Sequence, residues 1–390
     1  MVQAPGGGGF RKRESPPLVA PETASEHQVR TQLEDDPSIA YIVKALDDLQ
    51  WPDRGAEAEK TSLRVHAGYF NATEPPPHLS TIEPIVDERY PSVDESKRMN
   101  ALLDRSSVEA EVNLLVETIL STNPESSPGA PYYRLATQNR ELFERHRDLI
   151  VGAAVERILL LSTTPVESLY ELEAEELVKG GYTDVVRLFV KPEPHASRKA
   201  SISKWRLISS ISVVDQLVER FYAAGLNREY IDSWHRIPSK PGIGFTDDMV
   251  GLTIDSVMPL YSKGLLAEAD ISGWDFSCQW WELEAAARFR IRKTTGLRSS
   301  AEAQFAWSRL ILNRTRCASL SVFCFSDGTM ACQTTAAWMK SGRYVTGSDN
   351  SYMRVLASAL VSSLNDDGVV EPAKWYCDAM GDDSLELAID

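Results

Sequence analysis

Three short polar signals follow one another along the second half of the chain: Asp270-Ile-Ser-Gly-Trp-Asp275, then Ser341-Gly342 leading to Thr346 and Asn350, then Gly381-Asp382-Asp383. The last constrains the fold most. Glycine supplies the backbone freedom of a tight turn, and apolar arms flank it, Trp375 to Met380 before and Ser384 to Ile389 after. That pattern predicts a β-hairpin with acids at its tip. Alone, Gly-Asp-Asp is ordinary surface-turn chemistry; arms this heavy point to a hairpin seated on a core. Leu265 to Ile271 predicts a buried strand that gives way at Asp270, so Asp270 and Asp382 are expected to meet across two adjacent strands.

Elsewhere the periodicity is largely helical. Apolar residues recur at helical spacing from Ser96 to Ser121 and from Arg134 to Ser162, and helices are expected over Val213 to Tyr230 and Trp280 to Lys293. Ser127-Pro-Gly-Ala-Pro131 and Ile237-Pro-Ser-Lys-Pro-Gly242 break these runs as stiff loops. Val185 to Val190 reads as a strand, and Ser326-Asp-Gly328 as a hairpin turn between two more. Residues 1–85, rich in Pro, Gly and acids, read as a partly disordered extension without recognisable chemistry.

The formal net charge is −15, unusual for a chain that binds phosphates. Distribution matters more than the total. Arg187, Lys191, Arg198, Lys199, Lys204 and Arg206 oppose one acid, Glu193, and between Trp281 and Leu320 eight basic residues oppose three Glu. Such clusters are either cationic tracks inside an acidic exterior or solvated helix faces. No apolar run reaches the roughly 18 residues of a membrane span, and the five cysteines show no metal-ligand spacing, so they read as reduced thiols.

Each signal meets a need of nucleotidyl transfer. Carboxylates suit hard divalent cations, and phosphoryl transfer commonly uses two ions about 4 Å apart. Asp275 lies beyond the strand end and need not share the metal. Thr346 and Asn350, four residues apart on one helix face, can hydrogen-bond a sugar 2′-OH directly or through Asp275, which predicts selection of ribonucleotides. Ser341-Gly342 lets backbone N–H groups approach a phosphate or template base. Lys191 and Arg206 bracket a basic segment able to neutralise a triphosphate, whereas His195, after Pro194, reads equally as a local loop residue or a ligand.

In order and spacing these elements resemble the RNA-dependent RNA polymerases of positive-strand RNA viruses, with Asp270-x4-Asp275 similar to motif A, Ser341-Gly-x3-Thr346-x3-Asn350 to motif B and Gly381-Asp-Asp383 to motif C. Phe189-Val-Lys191-Pro-Glu-Pro-His195, Trp205-Arg-Leu-Ile208, Val214-Asp-Gln216 and Ile237-Pro-Ser-Lys-Pro-Gly242 resemble the sobemovirus and polerovirus group. Ser127-Pro-Gly-Ala-Pro131 is similar to motif G, and Lys191 through Arg206 to motif F.

The resemblance covers about residues 96–390 and implies an α+β, right-hand polymerase fold with helical fingers and a palm of antiparallel sheet flanked by helices, the thumb largely missing. The implied layout is an N-terminal extension over 1–85, fingers over 86–210, a palm helix over 211–231, a fingers segment over 232–262, and a palm over 263–390. That palm is expected to stop before motifs D and E, as in a truncated polymerase.

By the same resemblance Asp270, Asp382 and Asp383 hold two Mg²⁺ ions, with Mn²⁺ as a substitute. Lys191, Arg206, Asp275, Ser341, Gly342, Thr346 and Asn350 bind the nucleotide, and Ser127, Pro128, Gly129, Lys199 and Lys204 contact template RNA. Expected partners are template and product RNA, ribonucleoside triphosphates, a genome-linked viral protein and a membrane-anchored viral polyprotein. The expected location is the host cytoplasm, in membrane-associated replication complexes reached through those partners. Two rivals share features: a reverse transcriptase, which normally carries an aromatic gate near the Asp275 position, and a non-catalytic RNA-binding scaffold, which gains nothing from clustering three acids.

Overall fold

A computed structural model describes residues 48–244, 246–262, 266–365 and 375–387. The expectation for residues 1–47 lies outside them. The chain forms two compact units.

The first unit comprises the described residues up to Phe70 together with Val186–Ser210 and Phe323–Ala331. Val186–Val190, with alternate residues buried, pairs antiparallel with Leu207–Ser210 and parallel with Val322–Cys324, and Met330–Cys332 completes a four-stranded sheet. Helix Ala56–Ala67 belongs to this unit. Its Ser62 Oγ and His66 Nε2 both bond the Trp205 carbonyl at 2.8 Å, Glu59 accepts from Ser326 N at 2.8 Å, and Lys60 pairs with Asp327 at 2.6 Å.

Residues 48–85 are therefore structured where a partly disordered extension was expected. Glu59 and Lys60 grip the turn at Ser326 to Gly328. Helix Leu79–Asp87 belongs to the second unit, where Leu79, Ile82 and Val86 enter the core.

In the second unit, α1 (Arg105–Thr122) is capped by Asp104, whose carboxylate accepts from Ser107 N. That cap divides the single helix expected from Ser96 into Ser96–Ala101 and α1. α2 (Asn139–Thr163) kinks at His146 (φ −135°, ψ 24°). α3 (Val213–Asp232) starts at Ser212, which accepts from Asp215 N.

The Ser127–Pro131 loop abuts this start. Val213 N donates to the Pro128 carbonyl at 2.8 Å, and Gly129 (φ 72°) lies so close that a Cβ there would stand 2.5 Å from the Ile211 carbonyl oxygen. Only glycine suits both the left-handed conformation and that approach.

α4 (Trp280–Lys293) opens with a reciprocal cap between Gln279 and Glu282. α5 (Ala301–Ser319) and α6 (Thr346–Asn365) follow. The sheet has three antiparallel strands, β1 (Leu266–Ala269), β2 (Cys377–Met380) and β3 (Asp383–Leu387), in the order β2-β3-β1. Its core includes Cys377 and Ala379 of β2, Phe289 of α4 and Tyr352 of α6, with the Phe289 and Tyr352 rings stacked at 3.8 Å. Tyr90 meets Phe289 edge-on at 5.0 Å. Burial of rings this size stabilises by roughly 1.5–3 kcal/mol each, which makes this cluster the base of the sheet.

Candidate active site

β1 runs directly into Asp270, and β3 begins at Asp383. The register pairs Ala269 with Ser384 and Glu268 with Leu385, so one step outward sets Asp270 opposite Asp383. Facing residues of antiparallel strands project to the same side, which places two carboxylates on one face. Both line a cavity of about 550 Å³ together with Glu268, Lys240, Asp378 and Trp234.

Met380 pairs with Asp383, leaving Gly381 (φ 71°) and Asp382 as the hairpin tip. The second arm of the hairpin, not the first, lies beside β1. Asp383 is therefore the register mate of Asp270, and Asp382 sits at the turn.

The Ile237–Gly242 loop braces the first arm. Ala379 N donates to the Pro238 carbonyl at 2.9 Å and Lys240 N to the Ala379 carbonyl at 2.8 Å. Lys240 Nζ pairs with Asp378 at 3.1 Å and bonds the Ile237 carbonyl at 2.7 Å. Burial pushes the Asp378 carboxyl above its ordinary range, against the opposing pull of Lys240.

Hydrogen bonds tie the other two signals to this sheet. Asp275 lies in the short helix Trp274–Ser277, entered through Gly273 (φ 74°). Its carbonyl accepts from Met339 N at 2.9 Å, and that of Cys278 from Trp338 N at 3.0 Å. Lys340 follows, almost fully buried. Its Nζ donates to the carbonyls of Ser319, Ala337 and Trp338 and to Gln333 Oε1 at 2.9–3.2 Å. Burial pushes its ammonium well below the usual lysine range.

Ser341 is exposed and Gly342 half-buried beyond it. Thr346 Oγ1 donates to the Lys340 carbonyl at 2.9 Å, closing the turn that opens α6. Ser351 then accepts from Gly381 N at 2.9 Å while donating to the Gly347 carbonyl at 2.7 Å, so the first turns of α6 hold the hairpin tip.

Asn350, beside Ser351, is 5% exposed, and its Oδ1 has no hydrogen-bond partner among the described residues. Its neighbour Asp349 is gripped by Arg290 at 2.6 and 2.8 Å. Sequence reasoning missed Ser351, Lys340 and Arg290; a serine inside a helix and a basic residue beside a glycine turn carry no local mark of these contacts.

In the first unit, Lys191 and Arg206 converge on Glu193, at 2.6 and 3.0 Å. Although partial burial opposes it, the hydrogen bond from Lys191 and the Arg206 charge hold the Glu193 carboxyl below its usual range. Lys199 is exposed, and Lys204 lies over the Tyr69 ring at 4.3 Å. His195, expected as either a loop residue or a ligand, pairs in a short strand with Gln50. It is 6% exposed against the Trp205 ring, and its Nε2 has no partner among the described residues. Ser127 is exposed, whereas Pro128 and Gly129 are buried at the start of α3.

Much of the basic excess between Trp281 and Leu320 is engaged within the second unit, although Arg292 and Arg298 stay exposed. Arg288 pairs with Glu83 and Glu284, Arg290 with Asp349, Arg292 with Asp87, Arg298 with Asp94 and Arg314 with Glu219. Lys293, Arg309 and Arg316 donate to backbone carbonyls. The buried members, Arg290 and Arg314, brace the second unit from within.

Among the described residues no three His, Cys, Asp or Glu side chains stand in a ready-made metal-binding group. Asp270 and Asp383 nonetheless offer hard oxygen donors from facing positions. Mg²⁺ is commonly held by one or two carboxylates and completes its shell with water and substrate phosphates, so these residues fit that ion. Also among the described residues, no helix is long and apolar enough to cross a membrane.

Residues 44–390 match the family described as viral RNA-directed RNA-polymerase. The chain is 41% identical over 354 residues to the replicase polyprotein P2AB of Southern bean mosaic virus, covering 90% of this chain and 34% of that protein. It is 32% identical to protein P1-P2 of potato leafroll virus (strain Potato/Netherlands/Wageningen/1989), covering 86% and 32%. To the RNA-directed RNA polymerase of mushroom bacilliform virus it is 32% identical, covering 67% and 61%. The chain thus spans about a third of the length of the polyproteins it matches. Among solved structures, the Sicinivirus 3Dpol RNA dependent RNA polymerase superposes with a TM-score of 0.57 at 16% identity, over 84% of this chain and 61% of that one, a likeness of fold.

Proposed function

The chain belongs to the viral RNA-directed RNA polymerase family, and on that premise we propose that it carries the catalytic palm of an enzyme that copies a positive-strand RNA genome from ribonucleoside triphosphates. One observation carries the reading. The strand ending at Asp270, the Ser341–Asn350 element and the Gly381–Asp383 tip are joined by the β1–β3 register, by Ser351 on Gly381 N and by Met339 on the Asp275 carbonyl.

In this reading Asp270 and Asp383, with Asp382 at the tip, hold two Mg²⁺ ions. Bound there, the ions lower the pKa of the attacking 3′-hydroxyl and stabilise the departing pyrophosphate. Lys191 and Arg206 exchange Glu193 for the triphosphate, whose higher charge competes for both cations. Ser341 and Gly342 present backbone N–H groups to the nucleotide. Asp275, Thr346 and Asn350 test the ribose, Thr346 as acceptor because its proton is engaged by the Lys340 carbonyl, and Asn350 through its unpartnered Oδ1.

Ser127, Lys199 and Lys204 contact the template, and the buried Pro128 and Gly129 fix the loop that presents Ser127. A genome-linked protein and a membrane-anchored polyprotein are the proposed partners, in membrane-associated complexes of the host cytoplasm.

The test is extension of a primed RNA template by the 390-residue chain, with Mn²⁺ binding followed by electron paramagnetic resonance. Asp383→Asn is nearly isosteric, and it is expected to weaken Mn²⁺ binding at least tenfold and to abolish extension. Retention of more than about a tenth of the rate removes Asp383 from the metal site. Folded wild-type protein that binds RNA without extending it favours the scaffold reading.

A further inference from the structure

The sequence stretch around Asp215 is not accounted for by the proposed chemistry. In the structure it opens a buried row of alternating charges within the second unit. Asp184 and Asp215 both pair with Arg157, at 2.6 and 2.9 Å, and Asp215 also meets Arg314 at 3.0 Å. Arg314 reaches Glu219 at 3.0 Å, and Glu219 reaches Arg343 at 2.8 Å. Three carboxylates thus oppose three guanidiniums. Glu219, one helical turn after Asp215 on α3, has no exposed surface, and Arg314 and Arg343 are almost as deeply buried.

The two ends of the row differ. At the Asp215 end, Thr183 Oγ1 and Asp184 N donate to the carboxylate, and Ser212 Oγ donates to Asp184. Those contacts close the start of α3. At the other end, Glu219 Oε1 accepts from Arg343 Nε while Oε2 accepts from Tyr344 N at 2.8 Å. One carboxylate therefore grips two consecutive residues, a side chain and the next backbone N–H, inside the turn between Gly342 and Thr346.

The residue before Ser341-Gly342 is anchored as well, by the four oxygens around Lys340 Nζ. Gly342 is left as the pliant point between two clamps. A buried ion pair is a weak source of net stability but a strict judge of geometry, since any displacement leaves a desolvated charge uncompensated.

We infer that Glu219 is the positioning residue of the Ser341–Asn350 element: it sets the turn that presents Gly342 and aims the first turns of α6. Glu219 touches no reacting group in this assignment. It acts through Arg343 and Tyr344, and its effect on nucleotide choice rests on the ribose role proposed above.

The experiment compares Glu219→Gln and Arg343→Lys with Asp215→Asn, a control at the far end of the same row, in the full 390-residue chain. Amide hydrogen exchange is read for residues 341–350 and for α1 and α2, alongside the ratio of ribo- to deoxyribonucleotide incorporation. Glu219→Gln and Arg343→Lys are expected to speed exchange over 341–350 at least tenfold, to leave α1 and α2 within twofold, and to lower the ratio at least tenfold with RNA affinity unchanged. Asp215→Asn is expected to lower global stability while leaving both local exchange and the ratio within twofold.

Uniform acceleration of all amides, no acceleration at 341–350, or an equal local effect of Asp215→Asn overturns the inference. Where Glu219→Gln does not fold, Arg343→Lys decides. Where the wild-type chain incorporates no nucleotide, the proposed function fails, and the exchange data alone judge the positioning claim.

Discussion

Replacing Asn350 by alanine separates ribose recognition from packing. Asn350 is buried with Oδ1 unpartnered, so in the free protein that oxygen already bears the cost of desolvation. A ribonucleotide relieves the cost when its 2′-OH donates to Oδ1, whereas a deoxynucleotide seals the oxygen in without a donor. Leaving a buried acceptor unsatisfied costs about 1–3 kcal/mol, a factor of roughly 5 to 150 in relative kcat/KM. Asn350→Ala removes the acceptor and the penalty together. The ribo-to-deoxy ratio is expected to fall by roughly that factor, chiefly because ribonucleotide use loses the relief, while deoxynucleotide kcat/KM stays near its wild-type value because the cost is present before either nucleotide binds. Single-nucleotide incorporation with matched ribo- and deoxyribonucleoside triphosphates measures both. A ratio within twofold of wild type, with primer-template affinity intact, refutes the reasoning.

Lys199→Ala with Lys204→Ala is expected to reduce the slope of log affinity for single-stranded RNA against log salt by about 1.4, roughly 0.7 per lost phosphate contact. Arg298→Ala with Arg309→Ala, which removes cations engaged with Asp94 and the Thr163 carbonyl, leaves that slope unchanged; filter binding across salt concentrations distinguishes the two. Burial lowers the pKa of His66, assisted by Lys204 and Lys199 and opposed by the hydrogen bond to the Trp205 carbonyl, and burial lowers that of His195 too. The unfolded chain then binds more protons than the folded one below about pH 6.5, so stability rises with pH and is lost as pH falls through that range. Urea unfolding is expected to show a smaller fall in midpoint between about pH 7.5 and 5.5 for His66→Gln than for wild type, and an equal fall contradicts the assignment.

Local pattern carried much of this architecture. The hairpin at Gly381, the strand ahead of Asp270 and the helix bearing Thr346 and Asn350 were legible because turn glycines and apolar spacing act within a few residues. Which hairpin arm pairs with β1 was not. That choice depends on packing β2 and β3 over α4 and α6, and it decides that Asp383 faces Asp270.

The basic residues between Arg288 and Arg316 misled for a related reason. A local charge count cannot see Glu83, Asp87 and Asp94, which pair with them from about 200 positions upstream. Asp215 and Glu219, spaced four apart on a helix, carry no local sign of burial, yet both are buried against arginines supplied by α2, α5 and the turn before α6. Glu59 and Lys60 of helix Ala56–Ala67 likewise carry no local sign of their contacts. Their partners at Ser326 and Asp327 lie some 270 residues downstream.

Template-directed addition of one ribonucleotide tests the central claim most directly. The 390-residue chain is incubated with Mg²⁺ and primed RNA templates that differ only in the first unpaired base, each of the four ribonucleoside triphosphates being offered separately, with Asp270→Asn as control. The account predicts one-residue extension by the complementary ribonucleotide in each case, abolished by Asp270→Asn and by chelation. Extension that ignores the template base, survives Asp270→Asn, or fails to occur in folded, RNA-bound protein contradicts it.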